Sequence, residues 1–129
     1  MDFLEKCNKT KGVYLTGWMD IKGMRLALSA AYAFAISSVW ETQCIAAYEA
    51  AAAGVPLLLS DIPTLSSAFG NLALYHAPSD SKKLAENAEE MLLGKPGSKL
   101  LKGLKEFGKK HDVKEYARRL ESVFRECIE

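Results

Sequence analysis

The 129-residue sequence has few cysteines, little net charge and no long apolar run. Its three cysteines, Cys7, Cys44 and Cys127, are odd in number and widely spaced, which excludes a disulfide framework and a Cys-x-x-Cys metal site. Reduced thiols of this kind are typical of cytoplasmic proteins. No apolar run is long enough to span a bilayer, and the first residues are too charged for a signal peptide. We therefore predict a cytoplasmic protein whose membrane contact, if any, is peripheral at the inner membrane face.

The formal net charge of +1 gives no support for a nucleic-acid partner. Positive charge is nevertheless concentrated in residues 95–110, which contain a single acid, Glu106. The lysines of this run are Lys95, Lys99, Lys102, Lys105, Lys109 and Lys110. Two interpretations fit such a run: the solvated face of a helix, or a surface that rests on an anionic membrane or docks an acidic partner.

Four short apolar runs have the composition of buried strands. They are Gly12–Thr16, Ala33–Ile36, Pro56–Ser60 and Leu72–Tyr75. Between these runs, apolar residues recur at helical spacing, which predicts helices. Strands that are apolar throughout are typical of a parallel sheet covered on both faces. We therefore predict an α/β fold, a Rossmann-like three-layer parallel sheet of about four strands with helices on both faces.

Helix boundaries are marked by cap residues. Asp20 and Asp112 are suited to cap the helices that follow them, Ser79 or Asp80 caps a third, and Gly54 ends the alanine-rich one. The chain has the length of one domain. We predict a lead-in over residues 1–11, an α/β core over residues 12–95 and carboxyl-terminal helices over residues 96–129.

The stretch from Trp40 to Asp61 organises the rest of the chain. A polar turn precedes an apolar helix over Cys44–Ala53, in which Glu49 is the only charged residue. Unpaired N–H groups and the dipole of the first helical turn form an anion site that suits a diphosphate. Glu41 before the turn and Glu49 within the helix can accept hydrogen bonds from vicinal diols on either side of it. A nucleotide-sugar has this layout of sugar, diphosphate and ribose.

Ligands of parallel α/β sheets bind beyond the carboxyl ends of the strands. This rule places Gly17, Ser37 with Ser38, Glu41–Cys44, and Asp61 with Ile62 around one crevice. Trp40 is interpreted as core or lid packing rather than a platform for a nucleobase. Glu49 has an alternative interpretation as a helix glutamate that faces solvent or pairs with a lysine.

The residues SVWETQCIAAYEAAAAGVPLL, beginning at Ser38, resemble a motif of the retaining GT-B glycosyltransferases, chiefly glycosyltransferase family 4. The usual form there is close to S-x-x-E-G-F-G-x-x-x-x-E-A-M-A-x-G-x-P-V-V. The two glutamates of this E-x7-E motif are Glu41 and Glu49. The resemblance extends over most of residues 12–95 and implies the donor-binding, carboxyl-terminal half of such an enzyme, truncated at its amino terminus.

The resemblance also implies residue roles. Glu41 contacts the transferred sugar and is the catalytic residue, Glu49 binds the ribose hydroxyls, and the backbone at Gln43 and Cys44 holds the diphosphate. Thr42, Ser38 and Gly17 complete the expected donor site. The expected donor is a nucleotide-sugar of the UDP, GDP or ADP type, with no metal and no cofactor.

The sequence departs from the family pattern in two places. Thr42-Gln43-Cys44 replaces Gly-Phe-Gly. Glycine lets a backbone come close to a phosphate, and the side chain of Cys44 leaves less room for that phosphate. The family's two preceding strands and its basic Gly-Arg…Lys-Gly segment are absent from the sequence. Three arrangements are open for the sheet: the first strand slides in beside Ala33–Ile36, a second chain completes the sheet as in a dimer, or the chain is a piece of a longer enzyme. We favour completion by a partner, because an open sheet edge invites pairing.

Two other functions remain as alternatives. A non-catalytic α/β interaction module derived from a glycosyltransferase fits the altered turn and the absent basic segment. A phosphoacceptor signalling domain requires clustered aspartates at strand ends and a lysine, and of these only Asp61 is present.

Overall fold

A computed structural model describes residues 2–94 and 96–128. Met1, Lys95 and Glu129, which belong to the ranges discussed above, lie outside the described residues. In chain order the elements are α1 (Phe3–Lys9), α2 (Ile21–Ala30), β1 (Phe34–Ile36), α3 (Ile45–Ala53), β2 (Leu57–Ser60), α4 (Pro63–Phe69), a 3₁₀ turn (Gly70–Leu72), β3 (Ala73–His76), α5 (Ser81–Gly94), α6 (Ser98–Lys110) and α7 (Val113–Ile128).

The sheet has three strands in the order β1-β2-β3, all parallel. Leu57 of β2 pairs with Phe34 on one side and with Ala73 on the other, so the three strands are aligned in register. Every residue of β2 is buried, as expected for a central strand covered on both faces. The α/β fold with a parallel sheet flanked by helices is thus confirmed.

One face of the sheet carries the main core. Because side chains alternate along a strand, Leu57 and Leu59 point to the same face. There they contact α3, α4 and α6 in one buried cluster, and full burial of a leucine side chain stabilises the fold by roughly 1.5–3 kcal/mol. The main members are Ala47, Ala50, Ala51, Leu57, Leu59, Leu65, Phe69 and Leu104.

The opposite face is covered by α5. The buried Asn87 side chain donates a hydrogen bond from Nδ2 to the carbonyl oxygen of Tyr75 at 2.8 Å, which attaches the helix to β3. The hydroxyl of Tyr32 donates to the carbonyl oxygen of Met91 at 3.1 Å and connects the entry of β1 to the same helix. These bonds fix α5 against the sheet.

Helices α3 and α6 pack antiparallel through small residues. The ring of Tyr48 near the start of α3 lies 5.3 Å from that of His111, just past the end of α6, whereas Gly54 at the end of α3 lies beside Lys105. Between them Gly108 faces Ala52 so closely that an added Cβ would lie 2.5 Å from the Ala52 Cα. The buried alanines and this glycine let the two backbones approach closely.

The predicted cap residues are confirmed. The Asp20 carboxylate accepts a hydrogen bond from the Gly23 N–H at 2.7 Å, and the Asp112 carboxylate accepts one from the Lys114 N–H at 2.8 Å. Gly54 ends α3 in the left-handed conformation with φ of 77°, a region that favours glycine. Asp80 rather than Ser79 caps α5, because its carboxylate accepts from the Lys83 N–H at 2.8 Å.

The prediction of a strand at Gly12–Thr16 was wrong. These residues have no strand structure and are all exposed. An apolar run becomes a strand only when a neighbouring strand accepts its backbone hydrogen bonds, and within the described residues β1 pairs with β2 alone. The first strand therefore does not slide in beside β1, and the outer edge of β1 has no partner strand in the part of the chain that the structure describes.

Two apolar surfaces remain exposed. One follows the amino-terminal segment, where Tyr14 and Trp18 are 85% and 88% exposed. The other is a stripe along α7, whose members Val113, Tyr116, Leu120, Val123, Phe124 and Ile128 are all exposed. None of the helices formed by residues 2–94 and 96–128 has both the length and the apolarity needed to cross a membrane.

The close approach of α3 and α6 generates a stability prediction. We expect Gly108→Ala to lower the free energy of unfolding by about 1–3 kcal/mol, because the new methyl group overpacks the contact with Ala52. Urea denaturation followed by circular dichroism measures the change.

The matched control for this prediction is Gly94→Ala. A Cβ at Gly94 meets no atom within 4 Å, so this variant should keep the wild-type free energy of unfolding or gain up to about 1 kcal/mol. Equal stability of the two variants would show that the α3–α6 contact is not tightly packed.

Candidate functional site

The carboxyl ends of the three strands define the candidate site. Because the strands are parallel, the segments that follow Ile36, Ser60 and His76 leave the sheet at the same edge. The Asp61 N–H donates to the carbonyl oxygen of His76 at 2.8 Å, so two of these segments are joined directly. The polar turn predicted from the sequence, Glu41 to Cys44, lies in the segment that follows β1.

Glu41 is held from two directions. The Ser38 hydroxyl donates a hydrogen bond to Oε1 of Glu41 at 2.7 Å, and the Thr64 hydroxyl donates to its backbone carbonyl oxygen at 2.9 Å. The residue is half-buried. Among the described residues Oε2 of Glu41 has no hydrogen-bond partner, so one carboxylate oxygen is fixed while the other is able to accept from a ligand.

Thr64 is a site residue that the sequence analysis missed. It lies in the first turn of α4, and its hydroxyl links that helix to the turn that precedes α3. The bond spans 23 residues, so no local pattern predicts it. The available signal was the position of a hydroxyl residue directly after the Ile62-Pro63 turn at a strand end.

Cys44 has a backbone conformation that suits glycine. It is the N-cap of α3 with φ of 54° and ψ of 62°, in the left-handed region. For a residue with a side chain this conformation costs roughly 1–2 kcal/mol. The related motif has glycine at this position, and glycine adopts the left-handed region without this strain.

The Cys44 thiol is unsuited to nucleophilic chemistry. Burial raises the pKa of this thiol, the backbone N–H of Ala47 acts in the opposite direction, and the negative charge of Glu41 raises the pKa further. Because the thiolate is the reactive form, Cys44 remains a protonated and unreactive group at neutral pH.

Thr42 and Gln43 are exposed and come just before the first turn of α3. The N–H of Ala47 is bonded to the carbonyl oxygen of Cys44, whereas those of Ile45 and Ala46 precede the first intrahelical bond and are available to a ligand. The turn thus presents backbone donors to the same edge of the sheet as Glu41.

Glu49 lies one turn inside α3, on the side that faces away from the sheet. At 100° per residue it lies opposite Ala47, which is fully buried, and next to the exposed Ile45 and Ala52. It is half-buried and has no ion pair among the described residues, so the alternative of a lysine-paired glutamate is not observed there. The alternative of a glutamate that faces solvent stays open, since Glu49 has no hydrogen-bond partner among the described residues.

Two residues lie in other surroundings than expected. The predicted site residue Gly17 does not follow a strand, because Gly12–Thr16 is irregular, and no hydrogen bond among the described residues connects it to the strand ends. Trp40, predicted to pack in the core or in a lid, is 74% exposed, so it is not a core residue, and the lid alternative stays a prediction. The structure brings Ser38, Glu41 and Thr64 into contact and places Thr42, Gln43 and Cys44 beside them.

The site offers no cluster of metal-binding side chains. Within residues 2–94 and 96–128, no group of three or more His, Cys, Asp or Glu side chains is arranged to hold a metal ion. The polar groups at the strand ends are hydroxyls, backbone amides and the carboxylates of Glu41 and Asp61.

The conformation of Cys44 predicts an unusual order of stability. We expect Cys44→Gly to be about 1 kcal/mol more stable than Cys44→Ala, because only glycine adopts the left-handed region without strain. Thermal unfolding of both variants measures the difference. Ser37 has no positive φ, so Ser37→Ala should be more stable than Ser37→Gly. If glycine were the more stable residue at both positions, the strain assigned to Cys44 would be contradicted.

The raised pKa of the Cys44 thiol predicts selective alkylation. Iodoacetamide at pH 8 should label the exposed Cys127 before Cys44, and labelling of Cys44 should accelerate as the pH rises toward its pKa. Peptide mass spectrometry measures both rates, and the difference should disappear in denaturant. Equal rates in the native protein would show that burial does not protect this thiol.

One comparison with known proteins identifies the family of the chain. The family model described as "Glycosyl transferases group 1" matches residues 2–120, which include the strand ends, the turn at Glu41 and helix α3. No curated protein and no solved structure matches the chain. Since the family model covers most of its length, the chain belongs to the group 1 glycosyl transferases.

Proposed function

We propose that this chain is the donor-binding part of a retaining glycosyltransferase, which transfers a sugar such as a hexose from a nucleotide-sugar to an acceptor. Glu41 contacts the transferred sugar, the backbone at Gln43 and Cys44 holds the diphosphate, and Glu49 binds the ribose hydroxyls. Thr42 and Ser38 complete this site, whereas the place of Gly17 depends on how its segment folds in the complete enzyme. The donor is of the UDP, GDP or ADP type and binds without a metal.

The observation that carries this proposal is the fixation of Glu41 beside the first turn of α3. Its side chain is bonded to Ser38 and its backbone to Thr64, which fixes the residue in the turn that leads to the unpaired N–H groups at the start of α3. Fixed dipoles and donors act on developing charge without a cost of reorganisation. A nucleotide-sugar requires two kinds of group at this end of the site: a carboxylate that accepts from a sugar hydroxyl, and backbone amides that donate to the diphosphate.

The isolated chain should bind nucleotide weakly and have little transfer activity. Departure of a nucleoside diphosphate develops negative charge, and the basic segment that stabilises this charge in related enzymes is absent from the sequence. Loss of such cations costs several kcal/mol of transition-state stabilisation. A partner that completes the sheet at β1, either the amino-terminal half of an enzyme or a second chain, is the expected source of the missing groups.

The exposed apolar segment that leads into α2 supports such a partner. Tyr14, Trp18 and Ile21 are more than half exposed, and an unpaired edge strand invites pairing with another chain. We also propose a peripheral contact of α6 with the inner membrane face. This contact is electrostatic and involves the lysines of α6, because the apolar residues of the helix, Leu104 and Phe107, pack in the core. Both contacts assume a cytoplasmic location.

Calorimetric titration with UDP, GDP and ADP tests the ribose role of Glu49. We expect Glu49→Gln to weaken the binding of the preferred nucleotide by about tenfold, since the carboxylate is replaced by a neutral amide. Glu89→Gln, an exposed glutamate on α5, is the matched control and should bind as the wild type does. Equal affinities for all three proteins would remove the ribose role.

A second candidate function is a non-catalytic interaction module derived from such an enzyme. The observation that favours it is Cys44, which adopts the left-handed conformation at a position where the related motif has glycine. A wild-type chain that binds none of the three nucleotides but forms a tight protein complex would select this function.

A further inference from the structure

A cavity of about 330 Å³ opens where the start of α3, the end of α6 and the start of α7 meet. Its wall is formed mainly by apolar and aromatic side chains, with cations beside them. The residues that matter for its chemistry are Ile45, Tyr48, Lys110, His111, Tyr116 and Arg119. The volume lies at the lower end of the range for small-molecule sites, roughly 300–1,000 Å³.

The aromatic part of the cavity joins rings that border the core to rings that face solvent. The rings of Tyr48 and His111 are 5.3 Å apart and meet edge to face, and His111 also stacks on Phe107 at 4.1 Å. Tyr116 and Ile45 are 66% and 64% exposed, so their apolar surfaces face solvent across the cavity. A planar ring placed between them would bury this surface and contact the existing rings.

The charged part of the cavity is positive. Lys110 has no ion pair among the described residues, and no carboxylate lines the cavity. Arg119 shares Glu115 with Arg118, and its contact is the longer one, at 3.4 Å against 2.9 Å. The carboxylate of Asp112 is bonded to the Lys114 N–H. Because Lys110 and Arg119 line the cavity and no carboxylate does, its lining favours an anionic ligand.

We propose that this cavity binds a planar aromatic ring that carries a phosphate or a similar anionic group. The ring lies against Tyr48, His111 and Tyr116, and the anionic group is held by Lys110 and Arg119. The cavity does not include Glu41 or Glu49, so the inference goes beyond the proposed donor site and does not depend on it. It borders that site at Gln43.

Titration with 1-naphthyl phosphate, followed by ¹H–¹⁵N NMR, tests this inference on the whole chain. We expect saturable shifts of the amides of Gln43, Tyr116 and Arg119. Inorganic phosphate and 1-naphthol, which each lack one half of the proposed ligand, should bind at least about tenfold more weakly. Absence of saturable shifts at these amides would overturn the proposal.

Neighbouring cations provide matched controls. Arg119→Gln and Lys110→Gln should each raise the Kd about fivefold or more, because each removes one charged hydrogen-bond donor. Lys114→Gln and Lys109→Gln each remove one positive charge from a side chain that does not line the cavity, and should change the Kd less than about twofold. Equal weakening by all four variants would show unspecific attraction and contradict the site.

Nucleotides distinguish the source of the ligand, since UDP and ADP also combine a ring with phosphates. If their binding shifts the cavity amides and depends on Arg119, the occupant is a nucleotide. If nucleotide binding depends on Glu49 while the binding of 1-naphthyl phosphate still depends on Arg119, the cavity is a second site. Both results support the proposal, and failure of the Glu49 test alone leaves it intact.

Discussion

The seating of α3 between β2 and α6 is the constraint on which the rest of the structure depends. Three alanines of α3 are completely buried, and Gly108 of α6 meets Ala52 at backbone distance. Small side chains leave little apolar surface per residue, so the contact is stable only because the backbones approach closely and exclude voids. The larger side chains of Leu57, Leu59 and Leu104 are completely buried around it.

This seating places the functional groups. Because α3 is fixed, the turn before it has one position relative to the strand ends, and the hydroxyl of Thr64 fixes that turn against the neighbouring helix α4. The strained conformation of Cys44 is the local cost of leading the chain from Glu41 into α3. Strain of this kind persists where the surrounding structure determines the backbone, and it is often found at functional sites.

Sequence reasoning predicted the elements whose causes are local. Asp20, Asp112 and Gly54 mark helix ends through bonds within a few residues, and the uninterrupted apolar run of β2 indicates a strand covered on both faces. The segment Gly12–Thr16 has the same composition but no strand beside it, which composition alone does not reveal. At the candidate site the turn that precedes α3 was predictable from the sequence, whereas the roles of Glu41 and Glu49 stay predictions. The Thr64 bond and the cavity at Tyr116 were not, because they join residues distant in the chain.

The strand order has a consequence for how the chain folds. Since β1, β2 and β3 are adjacent in the sheet in the same order as in the chain, each strand pairs with the next one after a single helical connection. The loops that these pairings close are shorter than the loop that α6 closes when it returns from the other half of the chain to cover α3. Because the entropy cost of closure grows with loop length, we expect α6 to dock late. Until α6 docks, the alanine face of α3 that it covers stays open to water, and this is the stage at which the nascent domain is most exposed to aggregation.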